Sequence, residues 1–393
     1  MFTLFLVIFV NVLGFGLIIP LLPFYVERLG GSPELVTLII ALYALVQFAT
    51  APVVGRLSDR FGRKPVLIWT TVGTAVAHVI LGFSDGLWMV VLSRALAGVM
   101  AGNLGVAFAY IGDVVERKDS AKAYGRLTTG FTLGFTFGPA LGGLLAGSDM
   151  DTANFMVPAF TAATLSIVAC ICVVLFLPES HTVDKREEHS AGKPKKSLAE
   201  QFRLVMNDSI LWKLAIVSFL FFMAWTQLLS IFAMWSDRVL EQGPARIGML
   251  FMYMGLVGSI TQFVMTGPLV KKVGEQRVLH LTTVGMLLGL TGLTLSGSLV
   301  WVLISLTVAS AANSLFTPVS TSVVAQSAAP KERGAILGIF QSIGSLGRVA
   351  GPLFSGAAFA NLSYNSPFHI GALVMVPCLI LLLMVSRAVK SQN

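Results

Sequence analysis

The sequence predicts an all-α polytopic membrane protein, with twelve transmembrane helices in two pseudo-symmetric six-helix halves. Three observations carry this. Of 393 residues, 55% are hydrophobic and only 12% charged, whereas soluble domains carry roughly 25% charged residues; such a chain cannot cover a water-facing surface. Apolar runs long enough to cross a hydrocarbon core of about 30 Å follow one another almost without pause. Finally, Gly55-Arg-Leu-Ser-Asp-Arg-Phe-Gly-Arg-Lys-Pro-Val-Leu67 has a worn copy 212 positions on, Gly267-Pro-Leu-Val-Lys-Lys-Val-Gly-Glu-Gln-Arg-Val-Leu279. A membrane protein built twice from one unit usually serves transport.

The expected spans are 2–26, 35–54, 66–83, 87–112, 124–146, 155–177, 211–234, 246–268, 278–296, 299–322, 335–360 and 367–386. The first lacks a basic n-region and a small-residue cleavage site, which makes it a span rather than a removable signal. Between the sixth and seventh the apolar pattern stops. The chain therefore divides into an N-terminal half (1–177), a cytoplasmic linker (178–210) and a C-terminal half (211–393), and residues 197–206 read as an amphipathic helix lying on the membrane.

A net charge of +8 could suggest nucleic acid, but its placement excludes that reading. With the N-terminus inside, 22 of the 27 Lys and Arg residues fall on inner links and only Arg28, Arg238 and Arg246 on outer ones. This asymmetry orients both termini to the cytoplasm. The other two, Arg94 and Arg348, lie within spans. Cys170, Cys172 and Cys378 sit in apolar runs and suggest neither a disulfide frame nor a metal site. No cofactor is expected, and no nucleophile–base pair points to an enzyme.

The duplication extends further. Gly125, Gly134, Gly138 and Pro139 return 213 positions later as Gly338, Gly347, Gly351 and Pro352. Arg117-Lys118-Asp119 likewise corresponds to Pro330-Lys331-Glu332. One departure stands out: Lys271 occupies the place of Asp59, and a lysine cannot interact favourably with a helix N-terminus.

On these residues the chain resembles the major facilitator superfamily, in its twelve-span drug:proton antiporter branch. Gly55–Leu67 is similar to the family's loop between spans 2 and 3, and Arg94-Ala-Leu-Ala-Gly98 to its span 4 arginine motif. Gly130-x3-Gly134-x3-Gly138-Pro139-x2-Gly142-Gly143 is similar to the span 5 antiporter motif. Leu13-Gly14-Phe15-Gly16 through Pro20-Leu21-Leu22-Pro23 resembles span 1 of the tetracycline-resistance group. The resemblance implies gating roles for Gly55, Asp59, Arg60, Gly62 and Arg63 in the loop and for Gly134, Gly138 and Pro139 on span 5. Asp113, at the inner end of span 4, is expected to pair with the Arg60/Arg63 loop.

The resemblance also implies a central cavity lined by spans 1, 4, 7 and 10, flanked by 2, 5, 8 and 11. Polar residues at helical spacing in these spans are the substrate-binding candidates. They are Asn11; Tyr43 and Gln47; Arg94; Trp225 and Gln227; Asn313 and Thr317; Gln341 and Arg348. No carboxylate lies deep in any span, and Asn11 stands where the tetracycline group usually carries an aspartate. His78 and His280 are the remaining titratable residues there, and a histidine on spans 3 or 9 is more often a packed one.

The expected function is secondary active transport, most simply proton-coupled efflux of amphipathic, tetracycline-type small molecules by alternating access. The energy source is inferred from the absence of a nucleotide-binding Gly-x4-Gly-Lys-[Ser/Thr] loop. An alternative keeps the fold but takes an organic anion or acidic lipid through Arg94 and Arg348, with non-standard or no proton coupling. A remote one is a non-transporting receptor. The expected setting is the bacterial inner membrane, as a monomer whose partners are substrate, protons and lipid.

Overall fold

The computed structural model describes residues 2–116, 119–149, 152–180, 198–295, 298–329 and 332–392, with the backbone alone at 120, 121, 198 and 388–392. Most of the expected linker (181–197) and the pairs Arg117/Lys118 and Pro330/Lys331 lie outside the described residues. Every regular element among those described is helical: α1 (Phe2–Ile18), α2 (Leu22–Arg28), α3 (Pro33–Phe61), α4 (Arg63–Gly82), α5 (Leu87–Met100), α6 (Asn103–Val114), α7 (Ser120–Ala146), α8 (Met156–Phe176), α9 (Leu198–Asn207), α10 (Leu211–Leu240), α11 (Pro244–Ile260), α12 (Thr266–Val273), α13 (Glu275–Thr294), α14 (Leu299–Ser327), α15 (Arg333–Asn361) and α16 (Ser366–Gln392).

Among the described residues, eight helical segments are long and apolar enough to cross a bilayer, and α1 with α2, bent by 42°, forms a ninth. The remaining three spans are α7, α13 and α15, whose glycine and hydroxyl content lowers their hydropathy without shortening them. Twelve membrane helices follow, as the apolar pattern predicts. The helix of the ninth expected span starts earlier, at Glu275 rather than 278, and ends at Thr294.

Helix contacts divide the chain into two compact units, Met1–Pro194 with Glu241–Gly255 and Lys195–Leu240 with Leu256–Asn393. In the first, α1 packs on α7 and α8, and α4 packs on α8 and α5. In the second, α10 packs on α15 and α16, and α13 packs on α16 and α14. These are the same four pairings, so the sequence repeat is a structural one.

The repeated loop is built identically in both copies. Helices α3 and α12 end at Gly62 and Gly274, with φ of 105° and 83°, a region that costs any residue with a side chain. Each glycine N–H bonds the carbonyl four residues back, Ser58 or Val270, and each opens a helix of 20 residues. The helices leading into the two loops differ. Pro33 to Gly62 is one residue shorter than Pro244 to Gly274. In the longer copy the backbone of Thr261–Met265 forms a π turn, and in the shorter Pro52 lies inside an α-helix.

The corners at Arg28 and Arg238 match as well. Tyr25 donates to the carbonyls of Leu81 (2.9 Å) and Ser84 (3.0 Å) and stacks on Phe155, over which Arg28 also lies, 4.6 Å from the ring centroid. In the second unit Trp235 donates to Asn365 (2.8 Å), while Arg238 lies over Tyr364 (5.5 Å) and Phe359 (5.3 Å).

Helix α9 is amphipathic, with Val205 1% exposed and Phe202 and Met206 on the open side. Asp208 accepts from the N–H groups of Ile210 and Leu211 and so caps α10.

Candidate functional site

At the Gly62 loop of the first unit, a basic side chain is fixed among carboxylates. Arg63, 5% exposed, donates to Asp59 (2.6 Å), Asp113 (3.0 Å) and the Ser58 hydroxyl (2.6 Å). Asp113 also accepts from Ser180 at 3.2 Å. The start of α4 needs an acceptor because its first N–H groups have no partner within the helix, and Gly62 has no side chain to supply one. Glu179 does so from 116 positions away, taking the N–H of Arg63 (2.9 Å) and of Lys64 (3.1 Å). A carboxylate there also complements the helix dipole. The Lys64 ammonium holds the Val174 carbonyl at 2.8 Å, and Tyr110 holds that of Pro178 at 3.0 Å.

Arg63 thus joins Asp59 and Asp113 in one cluster; the sequence led to its pairing with Asp113 and not to that with Asp59. Arg60 is outside it, exposed, with its guanidinium 5.3 Å from the Phe61 ring. Gly55 has open space around it. Glu179 and Ser180 escape sequence reasoning, although Pro-Glu-Ser directly after an apolar span is the signal that could have found them.

The second unit carries the same corner with its charges changed. Glu275 stands at the position of Arg63 and Gln326 at that of Asp113. Their contact survives: the Gln326 amide donates to both Glu275 oxygens (3.1 and 3.0 Å), and Ser322 adds a third bond at 2.6 Å. No segment equivalent to Pro178–Ser180 fills this corner among the described residues. A cleft of about 820 Å³ opens there, lined in part by Asp208, Glu275, Arg277 and Gln326.

Two faces of α7 use its glycines differently. Gly130, Gly134, Gly138 and Gly142, one turn apart, lie against the α1 backbone at Phe5, Phe9, Leu13 and Leu17. A Cβ on Gly134 would meet the Phe9 carbonyl at 2.7 Å, and one on Gly138 would meet the Leu13 carbonyl at 2.8 Å. The other face, Thr136, Pro139 and Gly143, meets Gly255, Gly248 and Pro244 just as closely. In the second unit Gly347 and Gly351 repeat the first kind of contact against Phe219 and Met223. Where Gly142 would recur, Ser355 instead shares a 2.9 Å hydrogen bond with Ser230.

The substrate candidates fall into two groups. In the first unit Arg94 is 3% exposed and donates to the Ser93 hydroxyl at 3.1 Å, which in turn donates to the Ala77 carbonyl at 2.7 Å. Tyr43 is half-buried and stacks on Phe15 with centroids 5.0 Å apart; Gln47 is half-buried one turn away. Asn11 is 6% exposed with no partner for its amide among the described residues. His78 is 1% exposed, with its ring beside Gly14. His280 lies 2.7 Å from the Gln276 carbonyl.

In the second unit Gln227 is fully buried, its amide without a partner among the described residues, and Trp225 is half-buried. Asn313 and Thr317 form a half-buried stripe on α14; on α15 Gln341 is exposed and Arg348 half-buried. Gln341 reaches Thr321 at 3.5 Å, which sets the two stripes side by side. Arg348 lies with its guanidinium 4.2 Å from the centroid of Phe222, a residue that sequence reasoning did not select.

A duplicated six-helix unit, a charged loop repeated in both copies and glycine-faced fifth helices define a membrane transporter of the two-half type. The sequence profile of the Major Facilitator Superfamily matches residues 4–258 and 239–393, and the chain belongs to that family. It is 27% identical over 371 residues to multidrug resistance protein 2 of Bacillus subtilis (strain 168), covering 94% of this chain and 90% of that one. It is 28% identical over 387 residues to the class G tetracycline resistance protein of Vibrio anguillarum, covering 95% and 94%. Among solved structures, the nucleoside transporter NupG superposes with a TM-score of 0.79 at 15% identity, covering 98% of each chain. The human organic anion transporter MFSD10 superposes with a TM-score of 0.69 at 22% identity, covering 97% and 98%. At these identities the structural likenesses speak to the fold alone.

Proposed function

We propose that this chain is a proton-coupled exporter of amphipathic, drug-like molecules of the tetracycline type, working by alternating access. The observation that carries the reading is the glycine surface of α7, in the spacing that resembles the antiporter motif, laid directly on backbone at both of its faces. Such surfaces let membrane helices approach and shift without side-chain interlock. The similarity along nearly the whole chain to multidrug and tetracycline resistance proteins supports the same reading.

In this scheme residues 1–177 and 211–393 are the moving halves, joined by the linker 178–210. Gly55, Asp59, Arg60, Gly62, Arg63 and Asp113 form the inner gate, with Arg63 and Glu179 holding the loop so that half-exposed Asp59 is presented at a fixed place. Gly134, Gly138 and Pro139 form the outer one. Asn11, Tyr43, Gln47, Arg94, Trp225, Gln227, Asn313, Thr317, Gln341 and Arg348 contact substrate. The protein is a monomer of the bacterial inner membrane with both termini cytoplasmic, and it performs no covalent chemistry.

The test is reconstitution of purified protein into proteoliposomes with tetracycline or ethidium and an imposed pH gradient. Dye or drug accumulation that collapses when the gradient is dissipated is the expected result. Transport at the same rate without a gradient removes the proton coupling, and no transport of either compound removes the efflux reading.

A further inference from the structure

The cleft of about 820 Å³ in the second unit lies at a helix start that is left open. Helix α13 begins after Gly274, which has no side chain to cap it, and the N–H groups of Glu275, Gln276 and Arg277 meet no acceptor among the described residues. Such groups, together with the helix dipole, favour an anion. The first unit shows what belongs there. At the first two of these positions the N–H groups of Arg63 and Lys64 hold the Glu179 carboxylate, at 2.9 and 3.1 Å. Tyr110 and Asp113 hold the rest of that segment, through the Pro178 carbonyl and the Ser180 hydroxyl. In the second unit Val323 and Gln326 stand in their places and line the cleft.

The third position has changed in kind. Pro65 has no N–H to offer, so the first copy presents two donors to a group with two oxygens. Arg277 stands in its place and adds both a third N–H and a guanidinium. It is exposed and has no carboxylate partner among the described residues. Two carboxylates also line the cleft, each already bonded: Asp208 accepts from Ile210 and Leu211, and Glu275 from Ser322 and Gln326. Lys213, whose ammonium lies 2.8 Å from the Ser209 hydroxyl at the cleft wall, and Lys271 and Lys272 just before Gly274 join Arg277 in outweighing them.

We propose that the start of α13 and Arg277 form a binding site for a phosphate monoester. Its three terminal oxygens match the three N–H groups, and its charge matches the guanidinium. Bound there, the phosphate holds the Gly274 loop as Glu179 holds the Gly62 loop. Helix α9, with Phe202 and Met206 exposed, ends one residue before Asp208. The phosphate is carried by a membrane lipid or by a soluble metabolite. A cleft that holds water alone would need neither the third N–H nor the unpaired arginine.

The test uses the full chain purified in an uncharged detergent. Dihexanoyl phosphatidate and glycerol 3-phosphate are the probes, with dihexanoyl phosphatidylcholine and glycerol as their controls. Binding is measured by equilibrium dialysis against empty micelles. Wild-type protein should bind at least one phosphate probe about tenfold or more tightly than its control, each tenfold step being about 1.4 kcal/mol. Preference within the phosphatidate pair alone names a lipid, and within the glycerol phosphate pair alone a soluble ligand. Arg277→Pro restores the residue of the first copy, at a place in the first helical turn where proline is tolerated. It removes the N–H and the guanidinium together and should lose the preference. Arg277→Gln keeps the N–H and should fall between. Lys272→Gln removes a charge beside the cleft and should stay within about twofold of wild type.

Binding of the phosphate probes by Arg277→Pro within about twofold of wild type, a factor worth less than about 0.5 kcal/mol, overturns the proposal. So does a wild-type chain that prefers neither probe to its control. Equal losses from Lys272→Gln and Arg277→Gln would reduce the site to surface charge and overturn it too. If Arg277→Pro does not fold, Arg277→Gln decides by the same criterion. These outcomes stand whether or not the protein moves tetracycline or ethidium.

Discussion

Arg63 and Glu275 occupy the same position in the two copies of one loop, at the first residue of equivalent helices, with opposite charge. Each keeps its contact to the end of the helix that follows: Arg63 donates to Asp113 at 3.0 Å, and Glu275 accepts from Gln326 at 3.0 Å. With Asp59 and Lys271 reversed as well, two positions of one backbone plan carry opposite charge, while Asp113 gives way to the neutral Gln326.

Loss of Arg63 should be felt throughout the first unit. Arg63→Ala leaves Asp113 and Asp59 beside an empty site, and truncating one member of a buried pair costs about 3–5 kcal/mol; partial exposure of Asp59 places this case at the lower end. Thermal unfolding in detergent should show a clear fall in midpoint. Arg63→Lys should recover little of it, because one ammonium cannot reach Ser58, Asp59 and Asp113 together in the fork geometry of a guanidinium. Full recovery by lysine would show that charge alone matters.

Glu179 offers a milder test. Glu179→Gln keeps an acceptor at the start of α4 but removes the charge that favours a helix N-terminus, worth about 0.3–1 kcal/mol. Glu179→Ala removes the cap as well, for about 1 kcal/mol more. The unfolding midpoints should fall in that order, and equal midpoints for the two variants would deny the cap its role.

The two loop glycines should behave alike. Gly62→Ala and Gly274→Ala each force a side chain to a positive φ with extended ψ, a region essentially confined to glycine, at about 1–3 kcal/mol apiece. Lying in separate units, their effects should add within about 0.5 kcal/mol. A stabilising effect of either alanine, read by the same unfolding assay, would contradict the backbone geometry.

On α7, glycines differ sharply in tolerance. Gly138→Ala drives a Cβ to 2.8 Å from the Leu13 carbonyl and the Gly16 backbone, and overpacking of this kind costs about 1–3 kcal/mol. Transport in proteoliposomes should drop with it. Gly125→Ala has nothing within 4 Å and should be neutral or better, since alanine is favoured over glycine in a helix by about 1 kcal/mol. Equal activity of the two variants would dissociate the glycine face from transport.

The sequence made the spans, the repeat and the Arg63–Asp113 pairing legible, because apolar length and charge placement are local properties written in order along the chain. Contacts made across the fold were less accessible. Nothing in the spacing says that Glu179 caps a helix 116 positions earlier, or that Arg348 faces Phe222 instead of a carboxylate. The face on which a residue falls was also harder to read than its depth: Asn11 and Gln227 are more fully buried than cavity-facing stripes suggest, whereas Gln341 is open.

The π turn at Thr261–Met265 keeps two parts of one span in register. One surplus residue in a regular helix would rotate all that precedes it by about 100° relative to all that follows, a full change of face. A π turn takes up that residue locally, so the apolar seam upstream and the loop downstream both keep their bearings. The second copy thus holds one residue more than the first without a change of face, whereas the first runs as a regular helix through Pro52. Deleting one residue from this turn should give a regular helix rather than break it.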